Sequence, residues 1–208
     1  PQEELPAPEE IWQSVLAEQP SLAHDLAWLA LAAEHLPGSL AGHVPTLPLA
    51  PPDLAGGQDR LAEAAAAAAA ALATAWPADR PLRVLDLGGA ALTRHLLAAL
   101  AETGRAVTLL VAGEGRPLPE ARGHVAPEAL AWDPLSEQPA PVAADLVVGI
   151  GAALRARCGT ALLSRLAPAL AEGGTLLLAE PLPSRLLDLA LGQEPGWWSG
   201  RPLPDAAE

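Results

Sequence analysis

The 208-residue sequence contains no Phe, Tyr or Met, and it also contains no Lys and no Asn. Aromatic residues make up only 3% of the chain, and all of them are Trp. The missing residues have AT-rich codons, so we interpret most of this bias as the mark of a GC-rich bacterial genome. Some chemistry is nevertheless excluded, because a chain without Tyr has no phenol to act as an acid or a base. A single Cys also excludes an internal disulfide and a Cys-rich metal site.

Positive charge is scarce as well: 12 Arg stand against 25 Asp and Glu, and the formal net charge is −13. A chain this acidic and without Lys is not expected to bind nucleic acid or an anionic membrane surface. The longest apolar run, residues 64–75, is nearly all Ala and is too short to span a bilayer. Residues 1–10 and 199–208 are Pro-rich and acidic, so we expect linkers there and a cytoplasmic fragment of a multidomain polypeptide.

Residues 11–80 are predicted to form a helical subdomain. After a first helix, Ser21 is predicted to cap a second helix that ends near His35. A third helix is predicted over 60–76, with Asp59 as its cap. This helix is built on a run of Ala with high helix propensity. Its small side chains imply that another element packs close to its backbone.

The hydrophobic period changes in residues 81–198. Strands are predicted at 82–87, 106–112, 129–132, 145–150 and 175–180. Helices are predicted at 93–102 and 152–171, the second ended by Gly173-Gly174. Alternating strands and helices at this spacing predict a doubly wound, mostly parallel α/β sheet. In such a fold the ligand crevice lies at the carboxyl ends of the strands.

Several segments of this half carry a family resemblance: PLRVLDLGG…LTRHLLAAL, ADLVVG, LAPALAEGGTLLLAEP and SRLLDLALGQEPGWW. Together they resemble the C-methyltransferase domain of polyketide synthases, and the upstream LAWLALAAEHLPGSLAGHVPTLPL resembles its helical lid. The resemblance implies a Rossmann-like S-adenosylmethionine core at 81–198, with a lid at 11–80. Such domains methylate the α-carbon of a β-ketoacyl chain held on an acyl carrier protein. The family also has a sixth and a seventh strand. Only ten Pro-rich residues follow Trp198, so these two strands are expected either to be lost or to lie outside this sequence.

The resemblance is weakest where the family binds its cofactor. The family's glycine loop reads roughly E-x-G-x-G-x-G-G-x-T. Asp86 and Gly88 match its start and Thr93 matches its end, but the loop between them is shorter and lacks the wrapping glycines. The acid that binds the ribose hydroxyls in the family falls at Val111 or Ala112, and Glu114 comes too late along the chain.

The family's general base is also missing. The turn that holds an Asn and the catalytic His in the family reads GAAL at 151–154 in this chain. Asp133 matches the acid that meets the adenine, and Glu180 matches the acid that partners the catalytic His. Without that His, Glu180 has no proton-transfer partner of the family's kind.

We therefore expect a pseudo-methyltransferase, a degenerate and non-catalytic relative without catalytic, cofactor-binding or metal-binding residues. It would act as a structural scaffold between the dehydratase and ketoreductase domains of a modular polyketide synthase. One alternative is an active S-adenosylmethionine-dependent C-methyltransferase acting on a carrier-bound β-ketoacyl chain. That alternative would use Gly88, Gly89, Asp133 and Glu180. Another alternative is a binding module whose crevice takes a different ligand or a partner protein.

Three further features are assigned no chemistry. The five His residues show no metal-ligand spacing. Cys158 is interpreted as an incidental helix thiol, although Arg155 and Arg157 precede it. Trp197-Trp198 is interpreted as a packing element. The acidic surplus argues mildly against direct docking of an acidic acyl carrier protein.

Overall fold

A computed structural model describes residues 6–43, 55–87, 89–113, 118–134, 136, 138–152, 159–181, 185 and 188–189. The helices are α1 Pro8–Glu18, α2 Ala23–Leu40, α3 Ala55–Thr74, α4 Ala90–Glu102 and α5 Gly159–Leu166. The strands are β1 Leu82–Asp86, β2 Val107–Ala112, β3 Val125–Leu130, β4 Ala144–Ile150 and β5 Leu170–Ala179. Within these ranges, no helix is both long enough and apolar enough to cross a membrane.

The five described strands form one parallel sheet in the order β3-β2-β1-β4-β5. Strand β4 is buried along its whole length, as expected of an inner strand with both faces covered. The strand order reverses between β1 and β4, which is where ligands bind in open α/β sheets. The structure thus confirms the predicted doubly wound α/β fold.

Helices cover both faces of this sheet. On one face, α3 and α4 pack against alternate strand residues such as Val84 and Leu109. The buried α3 side chains in this core are all small, namely Ala62, Ala65, Ala66, Ala69 and Ala73, and the partly buried Leu61 packs against them. On the other face, Leu162 and Leu166 of α5 pack with Leu85 and its neighbours. The Ala run of α3 therefore provides close packing against the sheet, as its composition predicts.

The chain divides into two compact units, and the first break along the chain falls at Gly57–Gln58. The first unit contains α1 and α2, and the second contains the sheet. Most of α3 belongs to the second unit because its buried Ala face lies in the sheet's core. In the first unit, α2 buries Trp28 and Ala32, which lie one helical turn apart.

Several predicted helix ends are wrong. Helix α2 starts at Ala23 without a side-chain cap, because Ser21 lies in the 3-10 turn Pro20–Leu22. It continues through Pro37 to Leu40 instead of ending near His35. Helix α3 starts at Ala55, so Asp59 lies inside the helix instead of capping it.

The Gly173-Gly174 pair lies within β5 and does not end a helix. Helix α5 ends at Leu166, and β5 begins at Leu170 after a 3-10 turn. The pairing with β4 shifts between Ala144↔Leu170 and Leu146↔Thr175, so residues 171–174 form a bulge. Gly173 adopts a left-handed φ of 73° there. A Cβ atom on Gly174 would lie 2.9 Å from the Ala171 carbonyl oxygen, so this position excludes a side chain.

Candidate functional site

The carboxyl ends of all five strands lie along one edge of the sheet, here called the carboxyl edge. Strand β1 reaches this edge at Asp86, whose side chain is fully buried. The hydroxyl of Thr93, in the first turn of α4, donates a hydrogen bond to the Asp86 carboxylate. The N–H of Thr93 donates to the carbonyl of Gly89 at 3.2 Å. The acid at the end of β1 is thus engaged by the helix that follows it.

The turn between β1 and α4 is short. It contains only residues 87–89, of which Gly88 lies outside the described residues. Gly89 precedes the helix with φ −82° and ψ −177°, an extended conformation open to any residue. Gly89 therefore does not supply the left-handed backbone for which a cofactor loop uses glycine.

Strand β2 ends in apolar residues. Val111 and Ala112 are buried, and their side chains carry no hydrogen-bonding atom. Gly113 donates its N–H to the Leu130 carbonyl at 3.1 Å, which extends the β2–β3 ladder by one residue. Glu114 lies outside the described residues. At the position where a ribose-binding acid is expected, the chain thus carries only the isopropyl group of Val111 or the methyl group of Ala112.

A turn after β3 brings Asp133 to the surface near the carboxyl edge. Its backbone carbonyl accepts hydrogen bonds from the N–H and hydroxyl of Ser136, at 3.0 and 2.7 Å. The neighbouring Trp132 is buried and donates its indole N–H to the Gln138 carbonyl at 3.0 Å. Trp132 therefore anchors the turn, and Asp133 lies exposed on it.

The ends of β4 and β5 bring Gly151 close to Glu180. Gly151 has a left-handed φ of 55° and donates its N–H to the Ala179 carbonyl at 2.9 Å. Glu180 follows directly and is half-buried. Residues 153–158 lie outside the described residues, and with them Leu154 and Cys158. The prediction that this turn lacks a general base therefore stays a prediction.

Apolar side chains fill the space beside Gly149, between the ends of β1 and β4. A Cβ atom on Gly149 would lie 2.9 Å from Leu178 Cδ2, 3.3 Å from Ala152 Cβ and 3.5 Å from Leu87 Cβ. Sequence reasoning missed this cluster of Leu87, Ala152 and Leu178. The Gly within the apolar run LVVGI at 146–150 is the signal that could have indicated a close approach.

Asp145, which the sequence did not single out, lies at the amino ends of the strands, opposite the carboxyl edge. Asp145 is buried at the start of β4 and accepts hydrogen bonds from Arg80 at 3.0 Å and from the N–H of Arg83 at 2.9 Å. The Arg80 guanidinium also lies 4.2 Å from the centre of the Trp76 ring. This cluster satisfies a buried charge and is far along the strands from the carboxyl edge.

One ionic cluster links α3 to α4. The Asp59 carboxylate lies 3.0 Å from His95 Nε2 and accepts a hydrogen bond from Arg94. The hydrogen bond with His95 lowers the pKa of Asp59 against the opposing effect of burial, and the charges of His95 and Arg94 lower it further. The described residues contain no group of His, Cys, Asp and Glu that could hold a metal ion. Trp197 and Trp198 lie outside them.

Solved structures with the same fold are carbon methyltransferases. The CMeT domain of the citrinin polyketide synthase has a TM-score of 0.62 at 16% identity, over 97% of this chain and 59% of that chain. The CurJ carbon methyltransferase has a TM-score of 0.60 at 20% identity, over 94% and 57%. The DszA carbon methyltransferase has a TM-score of 0.60 at 21% identity, over 91% and 55%.

At these identities the likeness establishes the fold: a Rossmann-like α/β sheet of the S-adenosylmethionine methyltransferase type. The chain spans less than three fifths of the length of these structures. Neither a protein-family model nor a curated protein matches the sequence.

Proposed function

We propose that this chain is a non-catalytic pseudo-methyltransferase domain of a modular polyketide synthase, where it acts as a scaffold between the neighbouring dehydratase and ketoreductase domains. The shared fold with carbon methyltransferases, one of them part of a polyketide synthase, supports the origin of the domain. The resemblance of its sequence segments to the same family supports the placement of the domain in a polyketide synthase.

The observation that carries the proposal is the closed turn at the end of β1. A dinucleotide-type cradle needs a glycine-rich loop whose backbone approaches the ligand before the helix begins. Here residues 87–89 alone join β1 to α4, and the Thr93 hydroxyl reaches back to the buried Asp86 carboxylate. A turn of three residues is therefore too short to wrap a cofactor.

The apolar carboxyl edge adds a second line of support. The ribose hydroxyls of a cofactor placed at the end of β2 would face Val111 and Ala112. Hydroxyls that lose water without gaining protein partners make binding unfavourable. The described residues thus do not fit S-adenosylmethionine.

Calorimetric titration of the purified chain with S-adenosylmethionine and S-adenosylhomocysteine tests this proposal. We expect no saturable heat at millimolar cofactor. Asp133→Ala serves as the matched control, because it removes the one acid that the alternative places at the adenine. Saturable binding that Asp133→Ala weakens would contradict the proposal.

The scaffold role needs a separate experiment in the parent polypeptide. We expect replacement of this domain by a flexible linker to lower the activity of the neighbouring domains or to disturb their assembly. The control replaces Asp133 and Glu180 together and leaves the fold in place, and its neighbours should keep full activity. Unchanged neighbours after deletion would contradict a scaffold role.

The second candidate is an active C-methyltransferase, and the position of Glu180 favours it. Glu180 lies beside Gly151 on the same edge as Asp133 and Gly89. The test is transfer of a labelled methyl group to a carrier-bound β-ketoacyl chain. Transfer that Glu180→Gln abolishes would establish this candidate, and the absence of transfer would dismiss it.

A further inference from the structure

Strand β5 forms an edge of the sheet in the part of the chain that the structure describes. It pairs with β4 from Leu146↔Thr175 to Ile150↔Ala179. The Ala179 carbonyl points toward β4, because it accepts the N–H of Gly151 at 2.9 Å. Successive residues of a strand direct their backbone groups to opposite sides. The N–H and C=O groups of Leu176 and Leu178 therefore point away from β4.

These outward groups have no hydrogen-bond partner among the described residues. Edge strands usually avoid further pairing through a charged residue, a Pro or a bulge. The bulge at 171–174 protects the start of β5. The stretch TLLLA at 175–179 contains neither a charge nor a Pro. Within the part of the chain that the structure describes, residues 175–179, here called the open edge, are thus able to pair with another strand.

The side chains of the open edge lead to the same conclusion. Leu176 and Leu178 are half-buried against the cluster that contains α5. Leu177 and Ala179 are half-buried against the cluster on the opposite face. The adjacent β4 is fully buried on both faces. An added strand would extend both apolar layers, whereas a helix laid on one face would cover only one.

The charges at its two ends select the partner. The exposed Glu172 lies before the open edge, and Glu180 follows it. If two copies of this chain paired antiparallel about Leu176, Glu180 of one would lie beside the bulge of the other, which carries Glu172. Like charges brought this close repel, and each copy also carries a net charge of −13. The edge therefore disfavours self-pairing and favours a strand with basic ends.

We propose that the open edge binds an extended strand of a different protein or domain, apolar in its middle and with Arg or Lys at both ends. Main-chain hydrogen bonds to Leu176 and Leu178 would supply the affinity, and the basic ends the selectivity. This docking surface goes beyond the scaffold role, since it would act equally in a domain that binds cofactor. A failed docking test would leave the calorimetric result unaffected.

The test uses a labelled peptide, capped at both ends, of sequence Arg-Thr-Val-Thr-Val-Thr-Val-Thr-Arg, in a fluorescence-anisotropy titration with the full chain. We expect saturable binding, weakened roughly tenfold or more when both Arg are replaced by Glu. Hydrogen exchange on the wild-type chain locates the site. The amides of Leu176 and Leu178 should exchange more slowly with peptide bound. No binding, or protection only elsewhere, would overturn the proposal.

Two variants at one position separate backbone pairing from side-chain contact. Leu176→Pro removes an outward N–H and leaves the hydrogen bonds to β4 intact, whereas Leu176→Ala keeps the N–H. We expect the Pro variant to lose binding and the Ala variant to keep it, with the circular dichroism spectrum unchanged in both. If the folded Leu176→Pro variant bound the peptide as tightly as the wild type does, the open edge would not be the binding site. A native dimer that Leu176→Pro dissociates would reassign the edge to a second copy.

Discussion

Asp86 ends β1 without any exposure to solvent, and a buried carboxylate needs donors to replace water. The hydroxyl of Thr93 is one such donor. The contact joins two residues seven positions apart and spans the first strand-to-helix turn. At this scale, one hydrogen bond ties the first turn of α4 to the end of β1.

Loss of this hydroxyl should be costly because Asp86 stays buried. We expect Thr93→Val, which keeps the side chain's shape, to lower the free energy of unfolding by about 1–3 kcal/mol. Thr93→Ser keeps the hydroxyl and should lose well under half of that. Urea denaturation at pH 7 measures both variants. A larger loss for Thr93→Ser than for Thr93→Val would show that the methyl group, rather than the hydrogen bond, holds the turn.

The sequence indicates Asp86 and Thr93 as the two ends of this turn, but it could not predict the filling beside Gly149. Leu87, Ala152 and Leu178 come from three different segments of the chain. They meet only because β1, β4 and β5 lie side by side in the sheet. Contacts of this kind depend on strand order and register, which a local hydrophobic pattern does not contain.

Among the elements, α3 shows how composition becomes packing. Its Ala residues alternate between a buried face, with Ala69 fully covered, and an exposed face that includes Ala68. We expect Ala69→Leu to lower the free energy of unfolding by about 1–3 kcal/mol, because the close-packed core has no room for the added atoms. Ala68→Leu adds the same atoms at the surface and should leave stability nearly unchanged. Similar effects at both positions would contradict close packing of α3.

The other four strands were easier to predict from the sequence than the helix ends, whereas β3 is predicted at 129–132 and lies at Val125–Leu130. The inner strands follow from short, mostly apolar runs, which both covered faces require. Ser often caps the start of a helix and Gly often follows its end, but neither Ser21 nor Gly173-Gly174 has this role here. The Gly pair serves a bulge, since β5 already pairs with β4 at Leu170. A tertiary pairing thus overrides a local signal.

The link between α3 and α4 should depend on pH through Asp59. Its pKa lies below the ordinary value of 3.8, so the ionised form stabilises the fold. This contribution is fully present above the ordinary value and disappears as the pH falls through the lowered pKa. We expect Asp59→Asn to lose about 0.5 kcal/mol at pH 7, as is typical of exposed pairs, and nothing in strong acid. Urea unfolding across this range measures it.

The matched control for Asp59 is Glu63→Gln, which removes an exposed acid from the same helix. At pH 7 this variant should keep the free energy of unfolding of the wild type, whereas Asp59→Asn should lower it. If both variants behaved alike, the effect would come from net charge and not from the contact with Arg94 and His95.

For the whole molecule, the acidic surplus acts on the compact state itself. A net charge of −13 at pH 7 makes the folded chain repel itself. Added salt screens such repulsion over distances beyond a Debye length of about 10 Å at 0.1 M. Salt also weakens attractive ion pairs such as Arg80–Asp145, which lowers stability. Because Asp145 is buried, salt weakens this pair less than it weakens the repulsion among the exposed acids.

We therefore expect the urea midpoint at pH 7 to rise when NaCl increases from a few millimolar to a few hundred millimolar. Urea carries no charge, so it does not itself screen the protein. The control is the same comparison near the sequence pI of about 4.7, where the net charge is close to zero and the salt effect should vanish. A midpoint that falls with salt at pH 7 would mean that the arginine pairs outweigh the repulsion among the acids. The acidic composition would then act only at the surface and not on the stability of the fold.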